Sequence, residues 1–365
     1  MYYSKNNCLV NLSNSILKAY GLNTYHESIP CIDKLLKDND IPRKKLAVIL
    51  LDGYGSYIQE SLKDVSSYIL DNKYTEITSV FPPTTVAATT AFLTGKFPCE
   101  TGWLGWIQKL PMYNVPVRMF NSDFVDSGIV SPLKSYEFLP TTDLISLIDD
   151  YTPDYKANKL MSFLLKPLTS ESFIKEANIM LKKNDFTYLY YVEPDGSLHD
   201  YGVNSPNIKP VIKEVNSIVK TLVEQNKDTL FIVIADHGHI YTKYLVLENY
   251  TDLYDMLEYK FNCLESRACM LYIKKDMIDK AGELINKYFS KDDFDIYSKQ
   301  EIIDNNIFGV GINNPHFEEL LGDYLIVSKK DMGIADRFAE KLVSHHAGGT
   351  SFESRINVSV FNNKK

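Results

Sequence analysis

The chain has few cysteines, no surplus of positive charge and no long apolar run, and each absence excludes a class of protein. Its five cysteines are scattered, odd in number and without CxxC spacing, so neither a disulfide framework nor a zinc finger is expected. The net charge of -8 argues against a general nucleic-acid binder, which usually carries a basic patch. The segment MYYSKNNCLVNLSNSILKAYG lacks the apolar core of a signal peptide, and no stretch could span a membrane. We therefore expect a cytoplasmic protein whose partner is neither a nucleic-acid polymer nor a membrane.

The hydrophobic content is ample for a large α/β core, since 45% of the 365 residues are hydrophobic. Apolar runs predict strands at LAVILL (46–51), TEITSV (75–80), TYLYYV (187–192), TLFIVIA (229–235), CMLYIK (269–274) and YLIVSK (324–329). Most are continuously apolar, which favours a mainly parallel sheet that lies between helix layers. Helical spacing recurs between them, in SFIKEANIMLKK and IKPVIKEVNSIVKTLVEQ. Residues 100–165 and 240–320 are less regular and are predicted to be insertions over the sheet edge, where substrate-selecting loops tend to lie.

Acids and histidines follow three of the predicted strands. They are Asp52, then Asp195 with His199, then Asp236 with His237, and the motif SHHAGG adds His345 and His346. An aspartate after a strand is often a helix cap or a turn residue, and a lone histidine is more often structural. Ligands bind beyond the carboxyl ends of strands in open α/β sheets, so the joint pattern favours a metal site. Carboxylate and imidazole together suit zinc or manganese better than magnesium or calcium.

A nucleophile candidate lies in FPPTTVAATTAFLTG. The motif predicts a helix that begins near Thr84 or Thr85 and ends with Gly95 as a C-cap. A hydroxyl at a helix N-terminus faces free N–H groups and is well placed for a phosphate. Either threonine could instead be a simple N-cap, but beside a metal cluster we favour a nucleophile.

In this order, LDGYG, FPPTT, EPDGSLHDYG, ADHGH and HHAGG resemble motifs of the alkaline phosphatase superfamily. The likeness is greatest to its type I phosphodiesterase/nucleotide pyrophosphatase branch, especially the soluble bacterial members, and it spans about residues 46 to 350. The resemblance implies one alkaline-phosphatase-like α/β domain over residues 1–365 and two divalent metal ions, usually zinc. It also implies a small phosphodiester or nucleotide-like substrate.

The resemblance implies a role for seven residues. One metal would be held by Asp52, Thr85, Asp236 and His237, and the other by Asp195, His199 and His346. Thr85 would be the nucleophile that attacks phosphorus, and water would then hydrolyse the threonyl-phosphate. His346 is preferred to His345 because it directly precedes Ala347-Gly348, as in the family's bacterial pattern.

The sequence departs from the better-known nucleotide pyrophosphatases around the threonine. Thr84 stands where they have lysine, and Ala88 stands where they have a phosphate-binding asparagine, which leaves nucleotide specificity open. A phosphomonoesterase or phosphomutase is an alternative, and Lys96 or Arg267 would be the extra cation that a monoester needs. A non-catalytic metal-containing binding protein is a further alternative. The roles of His239 and His316 stay open, and Trp103 and Trp106 form either an apolar wall or part of the core.

Overall fold

The computed structural model describes residues 1–161, 168–336 and 341–362. Its strands are β1 (Lys45–Leu51), β2 (Lys73–Thr78), β3 (Ile107–Gln108), β4 (Val117–Arg118), β5 (Asp123–Phe124), β6 (Ala157–Met161), β7 (Phe186–Tyr191), β8 (Thr229–Ile234), β9 (Ile240–Tyr241), β10 (Lys243–Val246), β11 (Cys263–Glu265), β12 (Ala268–Leu271), β13 (Phe294–Ser298), β14 (Tyr324–Ser328), β15 (Met332–Ala335), β16 (Ser344–His345) and β17 (Arg355–Phe361).

The described residues form sixteen α-helices, and several are single turns. They are α1 (Leu9–Ala19), α2 (Pro30–Asp38), α3 (Ser56–Ser61), α4 (Lys63–Leu70), α5 (Thr85–Thr94), α6 (Pro98–Thr101), α7 (Ser135–Phe138), α8 (Leu144–Tyr151), α9 (Ser170–Lys183), α10 (Asp195–Tyr201), α11 (Ile208–Gln225), α12 (Thr251–Tyr254), α13 (Ile278–Tyr288), α14 (Lys299–Asp304), α15 (Phe317–Leu320) and α16 (Ser351–Ser354). Short 3-10 turns occupy Leu247–Asn249 and Lys275–Met277.

The central sheet has six strands in the order β2-β17-β8-β1-β7-β6. Strands β6, β7, β1 and β8 pair in parallel, whereas β17 is antiparallel to both of its neighbours. Since β17 runs against both β8 and β2, five of the six strands point the same way. The mainly parallel central sheet predicted from the apolar runs is confirmed.

Helices cover this sheet in two packing groups. Strands β7 and β8 are buried along their whole length, so both faces of the sheet are covered. Helix α11 buries Val215, Ile218, Val219 and Leu222 and packs against α4 and α9. Helix α1 packs against α2, α5 and α8. The predicted arrangement of a sheet between helix layers is therefore confirmed. No helix in the described ranges is long and apolar enough to cross a membrane.

A second sheet lies beside the first and is antiparallel, in the order β13-β14-β12-β11-β3-β4-β5. Two predicted strands, CMLYIK and YLIVSK, belong here, where β12 and β14 pair with Ala268 opposite Val327. Assigning them with the other apolar runs to a mainly parallel sheet was wrong. A continuously apolar run indicates that a strand is buried, but it does not indicate which strand it pairs with. The ranges 100–165 and 240–320 supply every strand of this sheet except β14, and residues 162–165 lie outside the described residues.

Candidate active site

The carboxyl ends of three adjacent parallel strands bring the predicted acids together. Strand β1 lies between β7 and β8, with Leu51 opposite Tyr191 and Leu50 opposite Ile234. Asp52 directly follows β1, and its N–H donates to the carbonyl of Tyr191 at 3.0 Å. Asp195 begins α10 just beyond β7, and Asp236 follows β8. The three acids, each of which follows a strand in the sequence, therefore lie together at one edge of the sheet.

The first cluster consists of Asp52, Thr85, Asp236 and His237. His237 Nε2 lies 3.2 Å from Thr85 Oγ1, 3.3 Å from Asp52 Oδ1 and 3.6 Å from Asp236 Oδ2. Thr85 Oγ1 lies 3.4 Å from Asp52 Oδ1. Two ligands of one tetrahedral zinc ion lie about 3.3–3.6 Å apart, because zinc–oxygen and zinc–nitrogen bonds are about 2.0–2.2 Å long. The four side chains therefore have the spacing of a metal site.

Two further observations fit a cation in the first cluster. Asp236 Oδ2 is buried and has no hydrogen-bond partner within the described part of the chain. A buried carboxylate oxygen without a partner is costly unless a cation satisfies it. His237 Nδ1 faces the carbonyl oxygen of Gly238 at 3.2 Å, so this nitrogen carries the proton and Nε2 keeps its lone pair for a metal.

Thr85 is the first residue of α5, and the preceding Thr84 has extended backbone angles. The helix ends at Gly95 with φ at 68°, as the sequence predicted. Thr84 does not cap the helix with its side chain; its hydroxyl donates to Glu265 Oε1 at 2.5 Å instead. The Thr85 hydroxyl therefore lies both at the positive end of the helix and against the first cluster.

The second cluster surrounds Asp195. Asp195 and His199 lie four residues apart on one face of helix α10. His199 Nε2 lies 3.4 Å from Asp195 Oδ1, and His199 Nδ1 faces the carbonyl oxygen of Ser344 at 2.9 Å. His346 Nε2 lies 3.9 Å from the same Asp195 oxygen. The three predicted residues are thus neighbours.

The two adjacent histidines of SHHAGG differ in what their rings can offer. His345 Nδ1 lies 2.9 Å from the backbone nitrogen of His346 and 3.2 Å from its carbonyl oxygen, so this ring nitrogen is engaged by the backbone. The ring of His346 stacks on that of His237 with 3.8 Å between centroids, and its Nδ1 is buried without a partner in the described residues. This difference favours His346 over His345 as a ligand.

The pKa values of the clustered acids and histidines are strongly shifted. Burial raises the pKa of Asp52 and of Asp236, and repulsion from the neighbouring carboxylates raises that of Asp52 further. Burial alone would lower the pKa of His237, but the carboxylates of Asp236 and Asp52 raise it to about 10. Burial also raises the pKa of Asp195, yet His199 and His239 hold it below its usual range. Buried carboxylates that disfavour one another's ionisation are a natural site for a cation.

A cavity of about 380 Å³ opens onto Thr85, Asp195 and His199. The second sheet supplies part of its wall through Trp106, Arg118 and Glu265. Sequence reasoning missed the last two, because only the long-range pairing of β11 with β3 and of β3 with β4 brings them to the site. Burial raises the pKa of Glu265 to about 7.

Several residues that the sequence left open are placed away from this cavity. Arg267 is fully buried in an ion pair with Glu353, with Arg267 Nε 2.6 Å from Glu353 Oε1. Lys96 lies over the ring of Tyr25. The expectation that Arg267 or Lys96 could reach the substrate is therefore wrong.

The remaining open residues divide between core, surface and site. Trp103 is part of the core and donates to the carbonyl of Leu139 at 2.9 Å. His316 is on the surface, paired with Glu319 at 2.9 Å. His239, in contrast, lies in the second cluster, with Nε2 2.7 Å from Asp195 Oδ1.

A mainly parallel sheet with acids and histidines at its carboxyl edge, beside a threonine at a helix N-terminus, suits phosphoryl transfer, the chemistry of the hydrolases of the alkaline phosphatase superfamily that the chain is similar to. The sequence model of the type I phosphodiesterase / nucleotide pyrophosphatase family matches residues 138–349. The chain belongs to this family, which is metal-dependent. The matched part includes the second cluster with Asp236 and His237, while Asp52 and Thr85 precede it. No curated protein sequence matches the chain.

Solved structures share the fold at low sequence identity. An inactive variant of murine ectonucleotide pyrophosphatase / phosphodiesterase 5, in complex with AMP, is 16% identical over 88% of each chain with a TM-score of 0.71. The human protein of the same name is 15% identical over 87% of this chain and 88% of that chain, with a TM-score of 0.68. Phosphonoacetate hydrolase from Sinorhizobium meliloti 1021, in complex with phosphonoformate, is 15% identical over 87% and 90%, with a TM-score of 0.65.

Proposed function

We propose that the chain is a two-metal phosphodiesterase that cleaves phosphodiester or phosphoanhydride bonds of a small, nucleotide-like molecule through a threonyl-phosphate. The observation that carries this proposal is the spacing around His237 Nε2, which lies 3.2 Å from Thr85 Oγ1 and 3.3 Å from Asp52 Oδ1. That spacing fits a metal ion that would also touch the hydroxyl of the nucleophile. Asp52, Thr85, Asp236 and His237 would hold one ion, and Asp195, His199 and His346 the other.

The donor set favours zinc, with manganese as the alternative, because each cluster mixes carboxylate oxygen with imidazole nitrogen. When bound, two such ions supply Lewis-acid chemistry: they lower the pKa of a hydroxyl or water and offset charge on the phosphoryl oxygens. The residues fit these ions in two respects. Asp236 has an orphaned buried oxygen, and His199 and His237 both present Nε2 with Nδ1 against a carbonyl oxygen.

The chain's own residues then divide the reaction between them. The Thr85 hydroxyl gives its proton to solvent and Oγ1 attacks phosphorus in line, so that an oxygen–phosphorus bond forms. The bond to the leaving oxygen breaks, and the leaving group departs with the electron pair and takes up a proton from water as its pKa requires. Helix α5 directs its N-terminal N–H groups at the phosphoryl oxygens. Water attacks the threonyl-phosphate from the opposite side, which restores the hydroxyl of Thr85 and releases the phosphoryl product.

A diester is favoured over a monoester because only one cationic side chain lines the cavity within the described residues. A monoester brings an additional negative charge, and neither Arg267 nor Lys96 reaches the site. Arg118 is the one arginine or lysine among the described cavity-lining residues, and its Nε donates to Asp123 at 2.7 Å. The acidic Glu265 lies in the same wall. A phosphomonoesterase or phosphomutase is therefore the weaker alternative.

The segments 100–165 and 240–320 are proposed to select the substrate within a single domain. They contribute Trp106, Arg118 and Glu265 to the cavity wall, whereas the central sheet contributes the clusters. The similar proteins bind AMP in one case and a phosphonate in another, so both classes are reasonable candidates. We also place the protein in the cytoplasm, because its five cysteines are all unpaired.

The test compares hydrolysis of bis(p-nitrophenyl) phosphate, p-nitrophenyl phosphate and phosphonoacetate with zinc and with manganese. Thr85→Ala is expected to lower diester turnover by at least about a thousand-fold, since it removes the nucleophile. Thr85→Ser keeps a hydroxyl and should keep much of the activity. Thr94→Ala, at the other end of α5, is the matched control and should be fully active. A fully active Thr85→Ala protein would exclude the mechanism, and faster monoester turnover would favour the phosphatase.

A further inference from the structure

Arg118 is a cationic side chain in the cavity wall to which the proposed reaction gives no role. It lies in strand β4 of the second sheet, whereas both clusters lie at the edge of the central sheet. Apart from histidines, the other ionisable residues that line the cavity in the described ranges are the acids Asp195, Glu265 and Asp336. A negatively charged group of a substrate that does not reach the proposed metal ions would therefore find its cation at Arg118.

Asp123 fixes one edge of the Arg118 guanidinium and leaves the other edge open. The two residues lie opposite each other in the β4–β5 hairpin, where the Ser122 N–H donates to the Arg118 carbonyl at 2.8 Å. Arg118 Nε donates to Asp123 Oδ1 at 2.7 Å, and the arginine side chain stays 30% exposed. Within the described residues, Nη1 and Nη2 have no acceptor. The N–H groups on these two nitrogens form a fork that matches the oxygens of a carboxylate or a phosphate.

An apolar floor lies between Arg118 and the strand that carries Glu265. Leu264 on β11 pairs with Ile107 on β3, and Ile107 pairs with Arg118 on β4. Directly paired residues of antiparallel strands project their side chains from the same face, and all three residues line the cavity. Two strand spacings separate the Cα atoms of Leu264 and Arg118, which is about 10 Å. Ile107 and Leu264 form the floor along this distance.

The nucleophile candidate and Arg118 lie at opposite ends of this floor. Glu265 directly follows Leu264 and accepts the hydroxyl of Thr84, the residue before Thr85. Asp123 is on β5, the strand beyond β4 in the order β11-β3-β4-β5, so it holds the guanidinium on the side away from Glu265. Arg118 is therefore placed for a second anion of the substrate and not for the phosphoryl group at Thr85.

We propose that Arg118 is a specificity-determining residue that binds a second oxyanion of the substrate, a carboxylate or a phosphate, which an apolar spacer separates from the scissile phosphorus. The inference deepens the proposed function and rests on it, because it places the reacting phosphorus at Thr85. Since Arg118 and Asp123 are neutral as a pair, the attraction comes from the open N–H fork. Hydrogen bonds to charged groups of this kind correspond to a preference of about ten-fold or more.

The experiment compares three phosphodiesters that share p-nitrophenol as the leaving group, with the zinc-loaded protein. Their second aryl group carries a carboxylate, a phosphonate or a neutral carboxamide at the para position. We expect kcat/KM to be about ten-fold higher for at least one anionic ester than for the amide, mainly through KM. Arg118→Met should lower this ratio to about one, and Arg118→Lys should keep part of it, since it keeps the charge without the fork. Arg43→Met, on the surface, is the matched control and should keep the wild-type ratio.

A binding measurement tests Arg118 without turnover. Calorimetry compares 4-carboxyphenylphosphonate with 4-carbamoylphenylphosphonate, and the zinc-loaded wild type should bind the carboxylate about ten-fold more tightly, whereas Arg118→Met should bind both equally. Equal affinities in wild type, or an unchanged preference in Arg118→Met, would overturn the proposal. If Arg118→Met does not fold, as its melting temperature will show, Arg118→Gln replaces it.

The role of Arg118 and the proposed function can fail separately. A fully active Thr85→Ala protein whose preference for the anionic ester is lost in Arg118→Met would refute the mechanism but not the anion site. Loss of diester turnover in Thr85→Ala, together with equal kcat/KM for the anionic and neutral esters in wild type, would refute the role of Arg118 alone.

Discussion

The buried ion pair between Arg267 and Glu353 offers the sharpest prediction about stability. Both side chains are fully buried, with Arg267 Nε 2.6 Å from Glu353 Oε1 and Nη2 3.0 Å from Oε2. Arg267→Met removes the guanidinium and leaves a buried carboxylate without its cation. Two charge-assisted hydrogen bonds contribute about 1.5–3 kcal/mol each, and breaking a buried pair costs about 3–5 kcal/mol. We therefore expect the free energy of unfolding to fall by about 3–5 kcal/mol.

The same variant should also weaken metal binding at the proposed second site. Glu353 accepts the backbone N–H of Gly348 at 2.7 Å, and Gly348 lies two residues after His346. The assay is urea unfolding followed by circular dichroism, with zinc affinity measured on the folded protein. Lys34→Met, which breaks an exposed pair with Asp38, is the control and should change neither quantity.

A double variant separates the ion pair from simple packing. Arg267→Met combined with Glu353→Leu should cost less than the sum of the single variants, because the second substitution removes the charge that the first leaves unpaired. A loss below about 1 kcal/mol in Arg267→Met, or additive losses in the double variant, would refute the reasoning.

Three further variants test single contacts near the cavity. Burial raises the pKa of Glu265 from 4.5 to about 7, so the folded protein favours the protonated form of this side chain. The resulting stabilisation is fully present below pH 4.5, and about 3 kcal/mol of it is lost as the pH rises from 4.5 through about 7. Glu265→Gln should abolish this loss in metal-free protein, and a flat wild-type urea-unfolding profile from pH 4.5 to 8 would contradict it. Tyr190→Phe removes the hydroxyl that donates to Asp52 and should weaken first-site zinc binding about ten-fold in chelator competition, whereas unchanged affinity would count against that contact. Trp106→Ala should raise KM for bis(p-nitrophenyl) phosphate several-fold with little change in kcat, and an unchanged KM would remove Trp106 from the substrate wall.

The parts of the fold that could be predicted are those with a strong local pattern. Strands β7 and β8 are continuously apolar, and α11 repeats its apolar residues at helical spacing. Strand β6 was missed because ANKLM is buried only at its last two residues, and β17 because RINVSVF mixes polar and apolar residues. The assignment of CMLYIK to a second sheet depends on its pairing with β14, which no local pattern contains.

The functional site likewise contains residues that a local sequence pattern brings together and contacts that no local pattern predicts. Asp52, Asp195 and Asp236 could be brought together from sequence because parallel strands place their carboxyl ends at one edge. The roles of these residues as metal ligands stay predictions. The contacts of His239 and Glu265 could not be predicted, since both depend on chain segments that are distant in sequence and meet only in the folded protein. The one sequence feature that pointed to His239 was its position two residues after His237.

The measurement that most directly tests the central claim is rapid acid quenching of the zinc-loaded enzyme during turnover of bis(p-nitrophenyl) phosphate, followed by peptide mass spectrometry. The account predicts a transient aryl phosphate ester on the peptide that contains Thr85, absent in Thr85→Ala and present in Thr94→Ala. Turnover of wild type with no modified threonine at any quench time, together with an active Thr85→Ala protein, would contradict the account.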